Sequence, residues 1–325
     1  MTHFSKEVIR WGIVGAGRIA KTFANDIAYA PHASLYAVAS RRYHSAQSFA
    51  KSYSVTHIYG SYEAMFADPN VDAIYIATPH SCHKDNSIAA LRAGKHVLCE
   101  KPATITPAEL QEVLAVAQKE GRYFMEGLWT YFMPVIQTAQ SWIKAGRIGH
   151  LCHVKADFGF PLPYSPDLRE YDNRLAGGCL LEMGIYPVAM AWLFLGQDPT
   201  TQTVWHHKAD NGVEDDVVIL NTYGSSNATA QLTTSFRSKL NNYLTLIGDK
   251  GTLTIADYWA AREVRLYNGN ECIDRFKEDR LQQGFNHQIE QVSCEILSGN
   301  LQPKVVSWDD SRAFQRQIAE IKRRF

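Results

Sequence analysis

The run Trp11-Gly12-Ile13-Val14-Gly15-Ala16-Gly17-Arg18-Ile19-Ala20 constrains the fold more than any other stretch of this chain. A short apolar strand ends in a G-x-G-x-x-A loop, and the loop opens a helix. Gly15 permits the tight turn, Gly17 lets backbone N–H groups approach a phosphate, and Ala20 keeps the helix close to the strand. The helix start at Arg18-Ile19 adds partial positive charge where a pyrophosphate would lie. A bare glycine pattern is weak; one between an apolar strand and a helix, at the head of the chain, predicts a dinucleotide loop rather than a mere packing turn.

The residues that follow keep the rhythm such a loop requires. Strand patterns at Val8–Val14, Leu35–Ala39, Ile58-Tyr59, Ala73–Ala77 and His96–Cys99 alternate with helix patterns. The helices are expected at Arg18–Ala30, Ser45–Tyr53, Ser61–Ala67, Asp85–Ala93 and Pro107–Glu120, the last two followed by Gly94 and Gly121, good helix stops. Strand–helix alternation implies βαβ units and a parallel sheet. Beyond about residue 122 the pattern changes. Helical stretches at Pro134–Ala145 and Tyr186–Leu195 accompany strand-like runs at Val217–Thr222, Ala228–Ser235, Tyr243–Ile247, Thr252–Ile255 and Val264–Tyr267. Several alternate apolar and polar residues, which suits an antiparallel sheet with one covered face. Helices at Asn286–Leu297 and Trp308–Arg324 close the chain. The expected fold class is α/β: a doubly wound parallel Rossmann sheet over residues 1–124, then an α+β domain on a large, mostly antiparallel sheet over 125–325.

Charge and cysteine usage narrow the function classes. Lys+Arg and Asp+Glu are both 33, so a formal net charge of zero offers no reason to expect nucleic acid or an anionic membrane as partner. No uninterrupted apolar run reaches the roughly 18–20 residues of a membrane helix, and residues 1–7 contain no apolar leader core. The six cysteines form no C-x-x-C pair and no zinc spacing with histidine, so no metal is expected and the thiols read as reduced. Together these features suggest a cytoplasmic protein.

Ligands of open α/β sheets bind at the carboxyl edge of the strands, and three segments fall there. After the second strand, where an NAD site usually carries Asp or Glu, the chain reads Ala39-Ser40-Arg41-Arg42. A hydroxyl and two guanidiniums suit a ribose 2′-phosphate, favouring NADP(H) over NAD(H); a solvated surface pair is the alternative. Thr78, Pro79 and His83 follow the buried strand ending at Ala77 and are expected near the nicotinamide ribose. For His83 a hydrogen bond at the helix start is as good a reading as chemistry. Glu100-Lys101-Pro102 ends the next strand. Lys101, at a cofactor edge, can hydrogen-bond a substrate hydroxyl or depress the pKa of a neighbouring acid. A Glu–Lys surface pair is the alternative, and Pro102 marks a bond that can be cis.

With these residues in view the chain resembles the Gfo/Idh/MocA oxidoreductase family. The resemblance rests on Gly15–Ala20, on Gly94-Lys95-His96-Val97-Leu98-Cys99-Glu100-Lys101-Pro102, and on Gly177-Gly178-Cys179-Leu180-Leu181-Glu182-Met183-Gly184-Ile185-Tyr186. Met125-Glu126-Gly127-Leu128-Trp129-Thr130, and a tyrosine at 186, make it most similar to the dimeric dihydrodiol dehydrogenase branch, which includes NADP-dependent D-xylose dehydrogenases. The resemblance implies Lys101 and Tyr186 as a catalytic pair, with Trp129 and Phe158 walling the substrate pocket and Glu182 beside it. Glu182 stands where the family usually has Asp, and Tyr131 where many of the branch have Arg. The implied activity is hydride transfer between NADP(H) and a sugar, polyol or trans-diol. A ketose or anhydroketose reductase of the same family, or a sensor that binds NAD(P) without turnover, is the alternative; an intact Lys101 and Tyr186 favours chemistry. A second half with one sheet face uncovered suggests a homodimer through that face.

Overall fold

A computed structural model describes residues 7–325; residues 1–6, expected to lead into the first strand, lie outside the described residues. The first half runs β1 (Ile9–Val14), α1 (Arg18–Asp26), β2 (Ala33–Ala39), α2 (Tyr43–Tyr53), β3 (His57–Tyr59), α3 (Tyr62–Phe66), β4 (Ala73–Ile76), α4 (His83–Arg92), β5 (His96–Glu100), α5 (Pro107–Glu120) and β6 (Phe124–Gly127). Then come α6 (Pro134–Lys144), β7 (Leu151–Gly159), a π-turn at Leu180–Gly184, α7 (Ile185–Leu195), β8 (Thr201–Lys208), β9 (Glu214–Tyr223) and β10 (Ala228–Ser235). Four further strands, β11 (Tyr243–Gly248), β12 (Thr252–Ala256), β13 (Glu263–Asn268) and β14 (Glu271–Lys277), precede α8 (Phe285–Leu297) and α9 (Trp308–Lys322).

Two compact units divide the chain. One runs up to Trp129 and takes in Arg280–Ser311; the other comprises Thr130–Asp279 and Arg312–Phe325. The chain-order reading places a single boundary after residue 124, whereas α8 returns to the first unit. Its physical reason is an apolar face. Phe285, Ile289, Val292 and Ile296, spaced at three to four residues, are buried on it, and the helix packs on α1, β1 and β2. Two polar contacts fix its register: the Trp11 indole N–H donates to Ser293 Oγ at 3.1 Å, and the Tyr123 hydroxyl to Glu295 Oε2 at 2.8 Å.

The first unit is a six-stranded sheet in the order β3-β2-β1-β4-β5-β6, with every pairing parallel. Its central strands are buried on both faces, as parallel strands covered by helices must be; Ile13, Val14, Ile74, Ile76, Val97 and Leu98 are fully buried. The helix expected over Arg18–Ala30 stops at Asp26 and continues as a 3₁₀ turn, Ile27–Tyr29. Asp26 is buried, and its carboxylate accepts from the backbone N–H groups of Gln283, Gly284 and Phe285, at 3.2, 2.8 and 2.8 Å. It thereby caps the positive end of α8 from a distant part of the chain.

The second unit is an eight-stranded sheet in the order β14-β13-β12-β11-β7-β10-β9-β8, antiparallel except for β7 beside β10. On this sheet α7 packs against β7 and β10, and α6 against β13 and β14. Strands β7, β9, β10 and β11 alternate over most of their length, with Val154, Ala156, Val217, Ile219, Leu232 and Leu246 inward. Trp205, Val218, Leu220 and Tyr243 point the other way and are exposed. By length and composition alone, Asn173–Leu195 qualifies as a membrane span, but 72% of its most apolar window is buried inside the protein. A core helix passes that test as readily, and α7 is such a helix.

Candidate active site

The nucleotide side of the site is built by the first unit. Because its strands are parallel, Val14, Ala39, Ile76 and Glu100 all end on one edge. Gly15 sits at φ +97°, and a Cβ there would lie 2.7 Å from the Ala77 carbonyl oxygen. Only glycine fits a left-handed position pressed against the neighbouring strand's backbone. Gly17 is the residue before α1, in extended conformation, and a Cβ on it would meet nothing within 4 Å. Its surroundings leave a ligand room to reach the first amides of α1, whose N-terminus carries no side-chain cap. This cradle fits a dinucleotide pyrophosphate.

Beyond β2, Ser40 Oγ accepts from the Arg42 backbone N–H at 3.3 Å, and Arg41 and Arg42 are both exposed. Arg41 also reaches the Tyr62 phenol: burial raises that pKa and the guanidinium draws it back. Thr78 and Pro79 leave β4 on the same edge. His83, fully buried, faces the Pro102 carbonyl oxygen with Nδ1 at 2.7 Å and the Thr78 carbonyl oxygen with Nε2 at 2.8 Å. Its ring therefore braces the loop after β4 against the loop after β5.

That second loop carries Lys101, half-buried, and the Lys101–Pro102 bond is cis. Three hydrogen bonds hold it. Pro102 offers its carbonyl to His83, Lys101 N–H donates to Glu100 Oε2 at 3.3 Å, and Ala103 N–H donates to Glu126 Oε1 at 2.8 Å. Glu100 is held in turn by the Tyr75 hydroxyl, and the Tyr75 ring stacks on Phe23 of α1 at 3.9 Å. Burial pushes Glu126 up to about 7, against the opposing pull of the Ala103 and Ser311 hydrogen bonds and the Lys101 charge. Trp129 closes this unit; it is buried and packs on Phe285 at 4.5 Å.

The second unit assembles the other candidate residues. Gly178, at φ +121°, lies where a Cβ would collide with the Glu214 carboxylate, and its N–H donates to the Glu170 carbonyl at 2.8 Å. The π-turn that follows, the kind of irregularity frequent at functional sites, aligns Glu182 and Tyr186. Glu182 forms an ion pair with Arg169. Burial lowers the Arg169 pKa, but the carboxylates of Glu182 and Glu170 more than offset that and raise it. Tyr186 is buried and meets Phe158 edge-on at 5.3 Å. Phe158 stacks on Trp259 at 5.5 Å and contacts Phe160 and Tyr258 edge-on. The Thr130 hydroxyl donates to the Trp259 carbonyl at 2.8 Å. Tyr131, in contrast, is a core residue: its hydroxyl donates to the Ala189 carbonyl at 2.7 Å and its ring packs on Phe314.

Phe158 and Tyr186 thus share one aromatic cluster, and Gly15, Gly17, Arg18, Ile19, Ser40, Thr78, Pro79, Glu100 and Lys101 share one sheet edge. Sequence reasoning assigned no role to Tyr75, Glu126, Trp259 or Arg169. Only Glu126, quoted within a motif, carried a signal.

Residues 9–128 match the model of an oxidoreductase family with an NAD-binding Rossmann fold, and 136–254 match the Gfo/Idh/MocA C-terminal domain. The chain belongs to the Gfo/Idh/MocA oxidoreductase family, and it is an enzyme of the oxidoreductase class. It is 38% identical, over 79% of its length and 77% of the relative's, to trans-1,2-dihydrobenzene-1,2-diol dehydrogenase of Mus musculus. The Homo sapiens enzyme of the same name is 35% identical over the same shares. Among solved structures it resembles an aldose-aldose oxidoreductase from Caulobacter crescentus, with a TM-score of 0.89 and 27% identity over 98% of this chain and 97% of that one. It also resembles KijD10, a 3-ketoreductase from Actinomadura kijaniata solved with NADP, with a TM-score of 0.86 and 27% identity over 97% of both chains.

Proposed function

We propose that this protein is an NADP-dependent dehydrogenase acting on a secondary hydroxyl of a sugar, polyol or trans-diol, with Lys101 and Tyr186 as its catalytic residues. The observation that carries the reading is the loop bearing Lys101. It stands on the same sheet edge as the glycine cradle and is held by His83, Glu100 and Glu126. Such bracing preorganises a charge at the place where a hydroxyl is oxidised. A nicotinamide cofactor bound there would supply the hydride chemistry in either direction. Gly15, Gly17 and the start of α1 would hold the pyrophosphate, Thr78 and Pro79 the nicotinamide ribose, and Ser40, Arg41 and Arg42 the 2′-phosphate in place of an acid. Tyr186 is assigned the removal of the hydroxyl proton as phenolate, and Lys101 the orientation of the hydroxyl. Trp129 in the first unit and the Phe158–Trp259 cluster in the second are the apolar groups assigned to substrate, and Glu182 is held by Arg169.

The substrate class draws on the names of the relatives, which are diol and aldose enzymes. The 3-ketoreductase neighbour supports a second reading, reduction of a keto sugar, with the same residues and Tyr186 as proton donor. A screen of NADP⁺ reduction over aldoses, polyols and trans-diols, and of NADPH oxidation by keto sugars, with NAD(H) in parallel, tests both. Turnover with NAD(H) alone removes the cofactor assignment, and no turnover in either direction removes the enzymatic reading.

The exposed apolar face of the second unit supports a homodimer. Trp205 pairs with Val218 and Thr203 with Leu220 across β8 and β9, presenting an apolar stripe to solvent. The six unpaired cysteines support a cytoplasmic location.

A further inference from the structure

Far from the nucleotide edge, three side chains of the first unit converge. His32 immediately precedes β2, so it lies at the amino edge of the sheet, about 20 Å of strand away from Gly15. Glu290 and Cys294 stand four residues apart on one face of α8. Cys294 Sγ is 3.5 Å from His32 Nδ1 and 3.4 Å from Glu290 Oε1, and His32 Nδ1 is 2.5 Å from that same oxygen. The His32 backbone N–H donates to Glu290 Oε2 at 3.0 Å, so the main chain sets the direction of the carboxylate.

We propose that His32, Glu290 and Cys294 form a binding site for one zinc-class transition-metal ion. The donor set decides the class. Imidazole nitrogen, carboxylate oxygen and thiolate sulfur together suit zinc, whereas calcium and magnesium take sets made of oxygen. The geometry agrees. A tetrahedral ion with bonds of about 2.0–2.3 Å has ligand–ligand edges of about 3.3–3.7 Å. Both edges to Cys294 Sγ already have that length. The third is a hydrogen bond that lengthens by about 1 Å when the metal replaces the shared proton. The histidine and glutamate side chains are 47% and 29% exposed, which leaves them room to turn. Solvent fills the fourth position. On binding, the Cys294 thiol releases its proton to solvent and Nδ1 becomes the unprotonated ring nitrogen. Chain spacing hides the site, because its third ligand stands 258 residues before Glu290.

The ion would tie the entry of β2 to α8, the helix that returns to the first unit from the far end of the chain. At this distance from the cofactor edge its role is to hold that unit together, and zinc stabilises it by binding the folded form only.

The test uses the full-length protein after chelator treatment and reducing-agent removal. Cobalt(II) alone is titrated first, then displaced by zinc(II) in competition with a chromophoric chelator. The proposal predicts one cobalt per chain with the strong visible bands of a four-coordinate site and a thiolate-to-cobalt charge-transfer band. It also predicts a zinc-dependent rise in melting temperature. Cys294→Ser abolishes the charge-transfer band; His32→Gln and Glu290→Gln each weaken zinc by about 100-fold or more. Cys272→Ser, at an exposed thiol elsewhere, changes neither. Stoichiometric binding absent at micromolar metal, or a charge-transfer band that survives Cys294→Ser, overturns the proposal.

Discussion

Glu126 is the buried group whose removal is easiest to foresee in sign and size. Its carboxyl is raised from 4.5 to about 7 by burial, with the Ala103 N–H hydrogen bond opposing. A folded-state pKa above the unfolded one means that the folded protein binds this proton more tightly. The associated stability is fully present below about pH 4.5, is lost progressively as pH rises through about 7, and is constant beyond. The shift corresponds to about 3 kcal/mol at about 1.4 kcal/mol per pH unit. Glutamine keeps an oxygen for the Ala103 N–H and does not titrate. Glu126→Gln should therefore gain about 3 kcal/mol relative to wild type between about pH 4 and about pH 8.5. Urea unfolding of both proteins at the two pH values, followed by far-ultraviolet circular dichroism, measures that difference of differences. Any constant penalty of the substitution cancels. An identical wild-type-minus-variant gap at both pH values would refute the assignment of a proton to Glu126.

The remaining predictions concern cofactor, chemistry and assembly. Tyr186→Phe should lower kcat by about 10²–10⁴-fold, the usual contribution of a general base, with the NADPH Kd from fluorescence titration unchanged; a variant with wild-type kcat removes Tyr186 from the mechanism. The double substitution of Arg41 and Arg42 by alanine should weaken NADPH by about 10–100-fold, the worth of one charge-assisted contact or two, and leave NADH nearly untouched. Equal weakening of both cofactors contradicts the 2′-phosphate role. Trp205→Glu places a charge in the apolar stripe of β8 and β9 and should convert a dimer to a monomer in light scattering; an unaltered mass shows that this face is not the interface.

Most of the parallel half of the fold was legible because its central strands are covered on both faces and several of its helices end at a plain stop. The range expected for α5, Pro107–Glu120, is observed, with Thr106 as its cap and Gly121 at φ +60°. The edge strands β6, β8 and β14 were not legible. No residue of β8 or β14 is buried, so no apolar inward face marks Thr201–Lys208 or Glu271–Lys277 as strand. Four-residue β6 follows directly on a helix stop and is too short to show a period. The return of α8 depends on the Asp26 carboxylate, a contact between residues 257–259 positions apart that no local pattern encodes. At the site, glycines and strand ends announced where a cofactor lies, since their chemistry is local. Trp259 sits in a single 3₁₀ turn, Tyr258–Ala260, and its meeting with Phe158 follows from tertiary packing alone. Tyr131, where many of the resembling branch have Arg, is a core phenol bonded to Ala189, a placement that follows from tertiary packing alone.

The account centres on direct hydride transfer from a substrate carbinol carbon to NADP⁺. Its most direct test supplies NADP⁺ with whichever sugar, polyol or trans-diol the screen selects, deuterated at the reacting carbon, and weighs the cofactor by mass spectrometry. The account predicts one deuterium in the NADPH formed and a rate slowed by the label. Unlabelled NADPH, with the deuterium released to water, would contradict it.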